Sequence, residues 1–223
     1  MKKYLSIVLA LVFLNGIAAA ETIYVTISDD QGNLVMASEA VNVNDMDGDG
    51  VVNFHEALIA AHDLVYPGGS EAGYAAADQG YGLSMSRLWG VENGGSYGYY
   101  VNNVSAFSLL DPLSDGDCIY AYAFTDLENW SDTFSFFELD EVDADGSFKL
   151  SLSAQTYDAD WNAVYVPVEG AVITVNGEDT ELKTDAEGKV TISLEAGEYL
   201  ISAHSETMTL VPPVYKATVS AAK

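Results

Sequence analysis

Positive charge is scarce in this sequence. Lysine and arginine together number 8, against 34 aspartates and glutamates, and Arg87 is the one arginine. The formal net charge is -26 and the pI about 4.1. Such a chain has no basic patch with which to hold phosphates, which argues against nucleic acid and against an anionic membrane surface as partners. Cysteine is reduced to Cys118, so no internal disulfide can form. Stability must come from a core, with or without a metal. The three histidines, His55, His62 and His204, are too few and too scattered to imply a histidine metal site. No apolar run is long enough to span a bilayer comfortably. Apolar residues nevertheless make up 49% of the 223 positions, ample for a core and inconsistent with a disordered chain.

The first 20 residues read as an export signal. Lys2 and Lys3 precede a short apolar run ending near Leu14, Asn15-Gly16 breaks it, and Ala18-Ala19-Ala20 supplies small residues for cleavage before Glu21. Cleavage would remove two lysines and no acids, taking the charge from -26 to -28. A retained anchor is the alternative. The expected localisation is secreted or cell-surface, with no membrane insertion after cleavage.

Beyond residue 21 the texture changes once. Residues 22–27 alternate as a strand, and Asp29-Asp30-Gln31-Gly32-Asn33 is a turn that sends the chain back as a hairpin. Phe54, Leu58, Ala61 and Val65 share one helical face, and Pro67-Gly68-Gly69 ends that helix. Residues 68–98 are glycine-rich loops. Residues 97–101 and 118–125 are strands, the second entered through Asp115-Gly116-Asp117. Cys118 alternates with Tyr120, Tyr122 and Phe124 and reads as a small buried hydrophobe. From residue 147 short alternating runs recur at 148–154, 171–175, 190–194, 199–204 and 215–219, the spacing of an all-β sandwich. The acidic stretch 138–146 reads as a linker between a domain at 21–137 and another at 147–223.

One motif carries chemistry. Asp45-Met46-Asp47-Gly48-Asp49-Gly50-Val51-Val52-Asn53-Phe54-His55-Glu56 fits the twelve-residue EF-hand loop at every ligand position. Calcium needs six to eight hard oxygens. Asp45, Asp47 and Asp49 would supply carboxylates and Val51 its backbone carbonyl. Asn53 would ligate directly or through water, and Glu56 with both oxygens from the first helical turn, where the helix dipole favours an acid. Gly50 takes the sixth position, where the chain turns sharply. Magnesium, with its tight octahedral demand, suits the loop less well. The competing reading is an acidic turn that holds no metal. Residues 41–44 read as extended, so the site is expected to be a strand-loop-helix variant. The turns at Asp143 and Asp185 begin similarly but lack downstream ligands.

Leu88-Trp89-Gly90-Val91, Ser96-Tyr97-Gly98-Tyr99-Tyr100-Val101-Asn102-Asn103 and Leu113-Ser114-Asp115-Gly116-Asp117 together resemble the transcobalamin C-terminal-like domain family. That resemblance covers residues 21–126 and implies a β-grasp fold. It also implies capture of a corrinoid or another flat small molecule, with the calcium loop as an insertion. Val168-Glu169-Gly170-Ala171-Val172-Ile173-Thr174-Val175, the turn after Thr184 and the Gly197-Glu198-Tyr199 run resemble prealbumin-like modules of bacterial surface proteins, which are spacers or adhesive units. The implied fold class is an α+β β-grasp-like domain followed by an all-β sandwich.

No catalytic constellation emerges. His55-Glu56 opens a zinc-protease-like string, but Ile59 stands where the second histidine belongs. Gly82-Leu83-Ser84-Met85-Ser86 lacks the last glycine of a nucleophile elbow, and Gly80-Tyr81-Gly82 lacks the third glycine of a dinucleotide turn. Trp89, Tyr97 and Tyr99, with Tyr74, Tyr81 and Tyr100, form either a ligand face or the cover of a small core. Arg87 either meets an anionic ligand or pairs with one of the many acids. The expectation is a non-catalytic, exported, calcium-binding module. Its partners would be calcium and either a small molecule captured by the first domain or a surface protein; a structural or adhesive role is the further alternative.

Overall fold

The computed structural model describes residues 20–220 except 79, 81 and 143–146. Residues 1–19 of the expected export segment, Tyr81 and the Asp143 turn therefore lie outside the described residues. The protein is mostly β, with several sheets. Among the described residues no helix is long and apolar enough to cross a membrane.

The chain opens with the expected hairpin, β1 (Glu21–Ser28) and β2 (Leu34–Val43). Asp29 accepts the N–H groups of Gln31 and Asn33 and so holds the turn. Helix α1 (Phe54–Val65) follows the acidic loop. Phe54, Leu58 and Ala61 are fully buried as their spacing predicts; Val65, at the last turn, has run off the core and is half exposed. A short α2 (Gly69–Gly73) and a ribbon of β3 (Ala75–Asp78) and β4 (Leu83–Arg87) occupy the glycine-rich region. Then come β5 (Tyr97–Val101), β6 (Val104–Ser105) and β7 (Cys118–Ala123). The first sheet runs β2-β1-β7-β5-β6, with β1 and β7 parallel at its centre. Side chains alternate across it. Ile23, Val25, Ile27, Ile119, Ala121 and Tyr97 share a core with α1. On the opposite face Tyr100, Tyr120 and Tyr122 form a second cluster.

The remaining strands are β8 (Thr133–Val142), β9 (Phe148–Tyr157), β10 (Ala163–Pro167), β11 (Val172–Val175), β12 (Glu178–Lys183), β13 (Lys189–Ile192), β14 (Gly197–His204), β15 (Leu210–Val211) and β16 (Tyr215–Val219). One sheet runs β10-β9-β8-β15, with β13 also on β9, and the other β12-β11-β14-β16. Leu150, Leu152, Ile173, Ile192 and Ile201, all without exposed surface, join the two sheets in one core.

The expected linker is corrected. Residues 138–142 are the second half of β8, paired with β9. Two of the acids that suggested a solvated spacer, Asp140 and Glu141, are strand side chains with partners. Asp140 accepts the Ser151 hydroxyl at 2.6 Å and lies 3.7 Å from Lys189, while Glu141 meets Lys149 at 3.3 Å. The second unit thus begins before residue 138, and β8 also joins it to the first. Phe134 stacks on Tyr100, with ring centroids 3.6 Å apart and planes 8° from parallel, and meets Tyr120 edge-on. The Tyr120 hydroxyl donates to the carbonyl of Pro212 at 2.7 Å, and Lys216 reaches Glu39 at 2.8 Å. Gly98 lets this interface close, since a Cβ there would sit 2.2 Å from the Tyr122 ring.

Candidate metal centre

The acidic loop joins an extended strand, β2, to α1, so it is flanked by a helix on one side only. Its curl is local in origin. Asp45 accepts the N–H of Gly48 at 2.7 Å and that of Gly50 at 2.8 Å; Asp47 accepts Asp49 N–H, and Asp49 accepts Val51 N–H. Gly50 has φ +92° with open space around it, so glycine is required there by backbone conformation rather than by crowding. The ligating oxygens of Asp45, Asp47 and Asp49 converge to within 4.8 Å of one another. These three residues could hold a metal ion. The Asp45 carboxyl is held below the usual carboxylate range, first by the Gly50 N–H and further by those of Gly48 and Asp49. The Gly48 and Gly50 N–H groups also fix its orientation.

The other sequence-derived ligands take different roles here. Asn53 is the N-cap of α1: its Oδ1 accepts Glu56 N–H while Glu56 Oε2 accepts Asn53 N–H, a reciprocal capping box. Glu56 Oε1 accepts Met46 N–H at 2.5 Å, tying the start of the loop to its end. Glu56 is only 3% exposed, yet its carboxylate stands outside the converged triad. The Val51 carbonyl carries no hydrogen bond among the described residues.

A partner for this loop lies in a segment that sequence reading passed over. Asn53 bridges to Pro112, Leu113 N–H donates to Val52 O, Phe54 N–H to Asp111 O, and His55 N–H to Leu109 O. Residues 109–113 thus pair with the end of the loop and the start of α1. Asp111 holds that segment in shape by accepting Phe107 and Ser108 N–H. Nothing in its composition announces the pairing, because it is a contact between distant segments.

The aromatic candidates do not assemble into one face. Tyr97 is 9% exposed, and its hydroxyl is used internally, donating toward Ser86 O and Val91 O. Tyr99 packs on Phe54 with centroids 5.7 Å apart. Together they border an open cleft of about 520 Å³ with Ser84, Ser86 and Glu92. Trp89 does not line it; its ring packs against His62 and Tyr66. Arg87 is neutralised by Glu92 at 2.7 Å and also donates to the carbonyls of Glu71 and Ala72. Tyr74 is core and donates to or accepts from His55 Nδ1.

Two residues differ from expectation. Cys118, expected to be buried, is exposed at the first position of β7. His62, set aside as ordinary, is fully buried and holds two segments together: its Nδ1 lies 2.7 Å from Leu58 O, and Trp89 N–H donates to its Nε2. That pattern requires the neutral ring protonated at Nδ1. No protein-family model, curated protein or solved structure matches the chain.

Proposed function

We propose that the protein is an exported, non-catalytic module whose first unit is stabilised by one calcium ion. The observation that carries this reading is the convergence of Asp45, Asp47 and Asp49 on a loop already curled by its own backbone N–H groups. The donor set fits the ion. All the side chains offer hard carboxylate oxygen, and nitrogen and sulfur ligands are absent from the triad. Three carboxylates this close repel one another, and a divalent cation removes that cost. Asp45, Asp47 and Asp49 would hold it, and the free carbonyl of Val51 can add a fourth donor. Glu56 and Asn53 act one step back, locking the loop to α1. The ion would supply charge neutralisation and would fix the loop that leads from β2 into α1. Export is supported by the basic start, apolar run and small residues of the first 20 positions.

The β-grasp reading of the first unit belongs to the same proposal. It is supported by an edge hairpin, a helix, and a parallel central pair in the order β2-β1-β7-β5-β6. A small-molecule role retains one supporting observation, the cleft beside Tyr99. With Tyr97 spent in the core, Trp89 elsewhere and Arg87 paired, that reading is the weaker.

The test is a thermal melt of the chelator-treated chain with and without calcium. A ligand that binds only the folded state at a hundred times its Kd adds about 2.7 kcal/mol, and for a domain of this size each kcal/mol shifts Tm by roughly 2–4 °C. Millimolar calcium should raise Tm by about 5–10 °C. Asp47→Ala together with Asp49→Ala, which removes two of the three converged side-chain ligands, should abolish the gain. An unchanged Tm across millimolar calcium refutes the metal reading.

A further inference from the structure

The hairpin turn between β5 and β6 is made of two asparagines with opposite fates. Tyr100 pairs with Ser105 and Val101 with Val104, leaving Asn102 and Asn103 as a two-residue turn. Both have positive φ, 49° and 65°, the left-handed pair that such a turn requires. The Asn102 carboxamide is used on both sides: its Oδ1 accepts Cys118 N–H at 2.9 Å and its Nδ2 donates to Asp117 at 2.8 Å. The Asn103 carboxamide makes no hydrogen bond among the described residues, although its backbone carbonyl accepts the Tyr165 hydroxyl. Asn103, Val104 and Ser105 are all exposed, and they spell Asn-Val-Ser. This is the acceptor pattern for asparagine-linked saccharide, in which a hydroxyl two residues on is needed and proline is excluded between.

We propose that Asn103 is a glycosylation site. In the transfer, Nδ2 of Asn103 forms a bond to the anomeric carbon of a lipid-pyrophosphate-linked saccharide. The anomeric C–O bond breaks, the lipid pyrophosphate leaves with its electron pair, and the amide nitrogen gives up one proton. Modification at Asn103 costs no native hydrogen bond, whereas at Asn102 it would remove the Asp117 contact. The saccharide would stand beside Val104, Phe107 and Leu110, exposed by 62%, 95% and 52%, and shield that apolar loop from association.

A second sequon serves as an internal control. Asn129-Trp130-Ser131 has the pattern, but its parts are tied to Asp126. Asp126 Oδ1 accepts Asn129 N–H, and the Ser131 hydroxyl donates to Asp126 Oδ2 at 2.7 Å. The Asn129 Nδ2 also points at Asp126, at 3.5 Å. The Ser131 hydroxyl is therefore unavailable in the folded chain, and the geometry assigns the saccharide to Asn103 alone.

This site rests on the export reading, because saccharide transfer of this kind happens beyond the cytoplasmic membrane. Protein purified from the cells that make it naturally is measured by intact mass and peptide mapping. The expected result is a chain beginning at Glu21 with a saccharide mass on the Asn103 peptide. Asn103→Asp, which keeps a residue tolerant of the left-handed turn, and Ser105→Ala, which leaves Asn103 in place, should each remove all of that mass. A chain beginning at Glu21 with no added mass, or with saccharide on Asn129, overturns the site while leaving export standing. A chain recovered from the cytoplasmic fraction, with its first 20 residues in place and no saccharide, overturns both.

Discussion

Removing the Phe134 ring tests whether the two units are one folded body. Phe134 is 2% exposed and lies between the sheets, stacked on Tyr100 at 3.6 Å and edge-on to Tyr120 at 5.6 Å. It belongs to the small cluster with Tyr122 and Val211, separate from the cores of either unit. Phe134→Ala removes a buried ring and leaves a void that two tyrosine rings, fixed on central strands, cannot close. Buried Phe→Ala changes cost about 3–5 kcal/mol, including an aromatic pairing share of about 0.5–1.5. At roughly 2–4 °C per kcal/mol for a chain of this length, Tm should fall by roughly 6–20 °C. The assay is a thermal melt for Tm and a denaturant titration followed by far-ultraviolet circular dichroism and tryptophan fluorescence, Trp89 lying in the first unit and Trp161 in the second. The wild type should show one coincident transition, because both units share this cluster. In the variant the midpoint should drop for both probes together. A loss below about 1 kcal/mol, or a wild type that already unfolds in two separate steps, refutes the argument that the cluster is a shared core.

Three further outcomes follow from the same structure. A fragment of residues 147–223 should fail to fold, since it lacks β8, exposing an edge of β9 and deleting Phe137 from the core. A fragment of residues 131–223 should melt cooperatively as a β protein by circular dichroism, and equal behaviour of the two would refute the role of β8. Burial holds the His62 pKa below the usual histidine value near 6.5. Above pH 6.5 the ring is neutral in both states and adds no pH dependence. As pH falls below 6.5 the unfolded chain takes up a proton that the folded chain refuses, so stability declines by at most about 1.4 kcal/mol per pH unit until the folded pKa is reached. The decline between pH 6.5 and 5 should be shallower in His62→Gln, read from denaturant midpoints; an unaltered slope would show that the buried ring protonates as freely as an exposed one.

What could be read from the chain alone was whatever is encoded over a few neighbouring residues. Asp45, Asp47 and Asp49 converge because alternate residues on a curling backbone point the same way, and Gly50 makes the curl possible. The α1 helix follows from the spacing of Phe54, Leu58 and Ala61, and β9, β11, β13, β14 and β16 from a period of two. Parity also places Tyr97 and Tyr99 on one face of β5 and Tyr100 on the other. Which face meets what is a different matter. The helix covers the first, so Tyr97 is core and its hydroxyl is consumed by Ser86 and Val91. Phe134 covers the second, so Tyr100 becomes an interface residue. Neither partner lies within 20 residues of β5 in the chain. The acidic run at 138–142 misleads for the same reason: its residues are exposed as their charge suggests, but pairing with β9 makes them strand and sets Asp140 and Glu141 beside Ser151, Lys189 and Lys149. The segment 109–113 and His62 are likewise defined by contacts made across the chain. Local geometry decides where a carboxylate can point; only the packing of distant segments decides whether a tyrosine is a surface, a core or a seam.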